Sequence, residues 1–113
     1  MNLTISQLKY MLVLSSLSEA GDIKIADIAK FLNIKRSSAF NMLNRLLEAG
    51  VIIKNNDKTV SLTDEGKRVS KELRKKVNDM EIKLIECFKI DISMVEDCAL
   101  AVIYYSTKTK DIY

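Results

Sequence analysis

The stretch from Ile25 to Gly50, IADIAKFLNIKRSSAFNMLNRLLEAG, followed at once by Val51-Ile52-Ile53, constrains this chain more than any other. Ile25, Ile28, Ala29 and Leu32 are spaced three and four apart, so they share one face of a short helix. Asn33 stands where that helix must stop, and asparagine tolerates the left-handed backbone that ends helices. Ile34 is an apolar plug for the turn. A second helix is expected from Arg36 to Ala49, with Ala39, Met42, Leu43, Leu46 and Leu47 facing inward and Gly50 closing it. Two short helices joined in this way form a helix-turn-helix.

The outward face of the second helix carries a different chemistry. Lys35 and Arg36 start it, Ser37, Ser38, Asn41, Asn44 and Arg45 follow, and no acid precedes Glu48. Phosphates require positive charge and base edges require hydrogen-bonding groups, so this face suits the major groove of DNA. Lys35 and Arg36 also oppose the helix dipole, an arrangement that fits an anionic partner at that end.

After Gly50 the period changes. Val51-Ile52-Ile53-Lys54 and Thr59-Val60-Ser61-Leu62 are β-type runs separated by Asn55-Asn56-Asp57-Lys58, where Asn and Asp tolerate the angles of a tight turn. A two-stranded hairpin directly behind such a helix is a wing, and its Lys54 and Lys58 are placed to meet DNA.

Towards the N-terminus, Thr4 and Gln7 have capping-box spacing, flanked by Leu3 and Leu8 as a hydrophobic staple. That helix is expected to reach about Glu19 and to end at Gly21. It is apolar on more than one side, which suits an element shared between the helix-turn-helix and a partner. Thr63 caps a long helix whose seam is Val69, Leu73, Val77, Met80, Leu84 and Phe88. A break around Lys89 to Ile92 precedes a second capping box, Ser93 with Glu96, and a last helix apolar all round from Cys98 to Tyr105. Such a helix in so small a chain reads as a dimerisation surface, with Leu8, Met11, Leu100, Ile103 and Tyr104 in the interface. The tail from Thr107 to Tyr113 is expected to be frayed. The fold class is therefore mainly α: a winged helix-turn-helix over residues 1–63 and a helical dimerisation region over 64–113.

Composition narrows the chemistry. With no His, Ser-His and Cys-His catalysis are unavailable, and no glycine-rich nucleotide loop is present, so an enzyme is not expected. The two cysteines, Cys87 and Cys98, cannot complete a four-ligand zinc site, and in apolar helical surroundings they read as small buried hydrophobes. Neither a metal nor another cofactor is expected. Between Asp22 and Lys76 lie 13 of the 18 Lys and Arg residues but only 7 of the 15 Asp and Glu, so positive charge gathers around the helix-turn-helix. No apolar run approaches a membrane span and the N-terminus lacks signal-peptide features, which predicts a cytoplasmic protein.

Beyond these local features, Gln7 to about Ser106 resembles the diphtheria-toxin-repressor and manganese-transport-regulator family. The likeness is carried by SS-x-x-x-ML-x-x-L-x-x-x-G from Ser37 to Gly50 and by LT-x-x-G from Leu62 to Gly66. It implies a homodimer on a palindromic operator, with Ser37, Ser38 and Asn41 approaching DNA. It also implies divalent-metal ligands at positions that here fall on Leu8 and Met11, on Val77, and near Leu100, Ile103 and Tyr104. Apolar side chains offer no ligand atoms to such an ion, so a divergent, metal-independent relative is expected. The combined expectation is a homodimeric, sequence-specific regulator that binds double-stranded DNA. The alternative is a winged helix used as a protein-interaction module. The effector is not legible: an apolar ligand, oxidation of the cysteines and protein level alone all stay open.

Overall fold

The computed structural model describes residues 3–112, with side chains to position 106. Helix α1 (Ile5–Ser18) is followed by strand β1 (Ile23–Lys24), α2 (Ile25–Leu32), α3 (Arg36–Glu48), strands β2 (Ile52–Lys54) and β3 (Thr59–Leu62), the long α4 (Asp64–Phe88) and α5 (Val95–Ile112). This is the expected mainly helical winged helix. The tail expected to fray, Thr107–Tyr113, falls outside the residues whose side chains are described.

The capping chemistry read from the sequence is largely realised. The Gln7 N–H donates to Thr4 Oγ1 at 3.2 Å and the Thr4 N–H to Gln7 Oε1 at 3.0 Å, closing the capping box of α1. Asn33 (φ +54°) ends α2, and the N–H groups of Asn33 and Ile34 reach back to Lys30 and Ala29. Gly50 (φ +78°) ends α3 in the same way, with its own N–H and that of Val51 donating to Leu47 and Leu46. Both ends are Schellman motifs, which satisfy carbonyls that a helix would otherwise leave open.

One core runs through the described chain. Leu12 and Leu14 of α1, Ile28 of α2, Leu43 and Leu46 of α3, Val60 of β3, Val77 of α4 and Ala99 of α5 all belong to it. Helix α1 lies centrally, packing on the sheet, α4 and α5. Each buried aliphatic side chain of this kind stabilises the fold by roughly 1.5–3 kcal/mol.

Several expectations need correction here. The wing is joined by a third strand, giving the order β1-β3-β2, with Ile23 opposite Val60 and Ile52 opposite Leu62. Met11 and Leu100 are 0% exposed, so they fill the chain's own core and offer no surface to a partner. The reason is the length of α4: together with α1 it covers one side of α5 within the chain. What α5 leaves outside includes Val102 and Tyr105, while Leu8, Ile103 and Tyr104 are half-buried. Leu47 and Phe88 are exposed rather than inward, because the buried stripes of α3 and α4 are completed by Leu46 and Leu84. Cys87 is exposed as well, and only Cys98 is partly buried. The second capping box does not form. Helix α5 starts at Val95, its first carbonyl acceptor is Met94, and Ser93 instead donates its N–H (2.9 Å) and hydroxyl (2.6 Å) to Asp91 Oδ1.

Candidate nucleic-acid interface

The outer face of α3 is set by how its two ends are anchored. Its start has no side-chain cap, so the first-turn N–H groups beside Lys35, Arg36, Ser37 and Ser38 stay open at the positive end of the dipole. Its end is held by a junction built around Thr63. The Thr63 hydroxyl donates to the Gly50 carbonyl at 2.8 Å and accepts from the Gly66 N–H at 3.0 Å, while the Thr63 N–H donates to Val51 O at 3.1 Å. A Cβ on Gly66 would stand 1.9 Å from that same Val51 carbonyl oxygen. The glycine of the LT-x-x-G pattern is therefore what lets α4 start against the wing.

Lys35, Arg36, Ser37, Ser38, Asn41 and Arg45 are all exposed. Among the described residues, none of Lys35, Arg36, Arg45 or Lys58 is held in an ion pair with a carboxylate. Arg74, by contrast, lies 3.7 Å from Glu96, which ties the basic turn of α4 to α5. Arg36, Ser37 and Asn41 line an open cleft of about 690 Å³ together with Phe40, the start of α2 (Lys24, Ile25, Ala26) and the wing residues Asp57 and Lys58. Lys35, Ser38 and Arg45 fall outside this cleft.

Two predicted DNA contacts, Lys54 and Asn44, are half-buried and engaged with each other instead of standing free. The Lys54 ammonium donates to Asn44 Oδ1 and lies 3.8 Å from the centroid of the Phe40 ring, strapping the wing to α3. The left-handed residue of the wing turn is Lys58 (φ +63°), not one of the Asn or Asp residues. Asp57 is otherwise engaged: its Oδ1 accepts the Thr59 hydroxyl at 2.6 Å and the Thr59 N–H at 3.2 Å. Those bonds hold its carboxyl below the ordinary 3.8.

Phe40 is not among the residues expected at this face, yet it is an aromatic side chain on an otherwise polar helix surface, 47% exposed. Its spacing of four from both Arg36 and Asn44 was the available signal. Among the described residues there is no group of three or more Cys, Asp or Glu side chains able to hold a metal ion. None of the described helices is long and apolar enough to cross a membrane.

Comparison with known proteins settles the family. A family-model match to the MarR family covers residues 3–59, half of the chain. The chain belongs to the MarR family. Among solved structures it is similar to the MarR repressor of Listeria monocytogenes 4b F2365, at 26% identity and a TM-score of 0.59, covering 97% of this chain and 75% of that one. It is also similar to the hypothetical protein SSo2273 of Sulfolobus solfataricus, at 29% identity and a TM-score of 0.66, covering 88% of this chain and 76% of that one. For IdeR of T. acidophilum the identity is 26% and the TM-score 0.65, covering 84% of this chain but only 45% of that one. No curated protein matches the chain.

The resemblance to the diphtheria-toxin-repressor and manganese-transport-regulator family is thereby corrected to MarR. The motifs that suggested it have a structural basis here: the Gly50 turn and the Gly66 contact assemble the winged helix itself. Leu8, Met11, Val77 and Leu100 accordingly need no explanation as a lost metal site. MarR proteins are DNA-binding transcriptional regulators, not enzymes, and this sets the class of the chain.

Proposed function

We propose that this MarR-family chain is a homodimeric, sequence-specific and metal-independent regulator acting on double-stranded DNA in the cytoplasm. The observation that carries the proposal is the outer face of α3. It presents Arg36, Ser37 and Asn41 beside a cleft that the wing closes with Lys58, and its cations pair with no described carboxylate. Ser37, Ser38 and Asn41 supply groups for base edges, Lys35, Arg36, Arg45 and Lys58 supply charge for phosphates, and Asn44, half-buried, is engaged by Lys54. Lys54 acts mainly by fixing the wing, through Asn44 and Phe40.

Residues 1–63 read DNA in this account, and residues 64–113 join two copies. The joining surface is assigned to the outward side of α5 around Val102, with Ile103, Tyr104 and Leu8 at its margin. Met11 and Leu100 support it from beneath. A second apolar surface lies where α4 meets α5, with Ile82, Phe88, Ile92 and Met94 all more than half exposed. That surface favours the protein-interaction module as the second reading.

Selection from a pool of randomised duplexes, run in parallel with manganese and with a chelator, tests the proposal. The expected result is one enriched pseudo-palindrome, identical in both conditions, with half-sites one helical turn (about 34–36 Å) apart. Enrichment only with manganese would overturn metal independence. No enrichment in either condition would favour the protein-interaction module.

A further inference from the structure

We propose that Phe40 determines sequence specificity by packing against the C5-methyl group of a thymine in the major groove. The inference rests on the reading of α3 as the DNA-recognition helix. Phe40 occupies the wing-side flank of that helix, 47% exposed, among Arg36, Ser37 and Asn41 in the lining of the cleft. A phenyl ring cannot donate or accept the hydrogen bonds by which base edges are usually distinguished. The apolar feature that a major groove offers is the thymine methyl, which marks A·T pairs and their direction.

The ring is fixed in place for this task. The Lys54 ammonium lies 3.8 Å from its centroid and is itself bonded to Asn44, one turn further along α3. Phe40 lines the cleft, whereas its partner Lys54 does not. A ring held by a cation on one side presents the rest of its apolar surface without a large entropy cost on binding. Exposure of this aromatic in the free protein is unfavourable, and covering it with a methyl group is the compensating gain on DNA.

The test is a scan of the selected duplex in which each thymine is replaced in turn by deoxyuridine, removing the methyl and leaving base pairing intact. Wild-type protein is expected to lose about fourfold in affinity at one position per half-site, the equivalent of one buried methyl group. Phe40→Ala is expected to bind more weakly and to be insensitive at that position, while keeping its preferences elsewhere in the site. Phe40→Leu, which keeps apolar bulk, should retain part of the sensitivity. A wild-type scan that is flat at every thymine overturns the assignment without reference to any variant. So does a Phe40→Ala protein that still loses fourfold at the same position. Failure of the wild type to select any sequence would remove the assignment together with the DNA-reading role on which it rests, and that outcome is distinct from a flat scan on a well-bound site.

Discussion

At the scale of single residues, the most demanding position is Gly66. Its missing Cβ is what allows α4 to begin against Val51, and a methyl group there meets the backbone of the wing junction, which cannot rotate aside. Gly66→Ala is expected to destabilise the fold by at least about 1–3 kcal/mol, the usual cost of overpacking, seen as a lower midpoint in thermal unfolding. An unchanged midpoint would contradict the contact. Asp57 makes a quieter prediction. Its carboxylate is favoured by the Thr59 hydroxyl, so its pKa in the folded chain lies below the ordinary 3.8. The stabilisation it gives the wing turn is then fully present above about 3.8 and is lost only as pH falls through the lower folded value. A carboxyl-carbon NMR titration of Asp57 should have its midpoint below 3.8. A midpoint above that value would contradict the hydrogen bonds to Thr59.

At the scale of elements, the recognition helix and the wing are expected to play separable parts. Asn41→Ala should lose discrimination at one base pair, by about 1–3 kcal/mol if the contact is bidentate, with little change on non-specific DNA. Lys54→Met should weaken all duplexes to a similar degree, because it releases the wing from α3. Identical behaviour of the two variants in competition binding would show the assignment of roles to be wrong. Much of this was legible in the sequence, since Asn33, Gly50, Thr4 and Thr63 mark helix ends by their own conformational chemistry. Strand β1 was not legible, because two residues, Ile23 and Lys24, are too few to show a period, and their pairing with β3 is a long-range event. The strap from Lys54 to Asn44 and Phe40 was hidden for the same reason: it joins side chains that only the turn of the wing brings together. The Ser93 capping box does not form because Asp91 accepts the Ser93 N–H that Glu96 would take, and α5 begins only at Val95.

At the scale of the whole molecule, the apolar character of α5 has two causes that sequence alone could not separate. Ala99 and Leu100 are spent on the chain's own core, while Val102 remains 37% exposed. For the proposed homodimer, Val102→Asp is therefore expected to leave the fold intact and to give a monomer in sedimentation equilibrium where the unaltered chain gives a dimer. Retention of the dimer by this variant would move the joining surface elsewhere, with the Phe88–Ile92 corner the next to test. The family reading was also decided at this scale. The glycine-marked motifs report how a winged helix is assembled, and the match across residues 3–59 separates MarR from other users of the same architecture. The measurement that tests the central claim most directly is the salt dependence of binding to the selected duplex. Lys35, Arg36, Arg45 and Lys58 from each of two copies would neutralise about eight phosphates, so log K should fall with log salt at a slope of about −7. A slope near zero, with affinity indifferent to salt, would contradict the account.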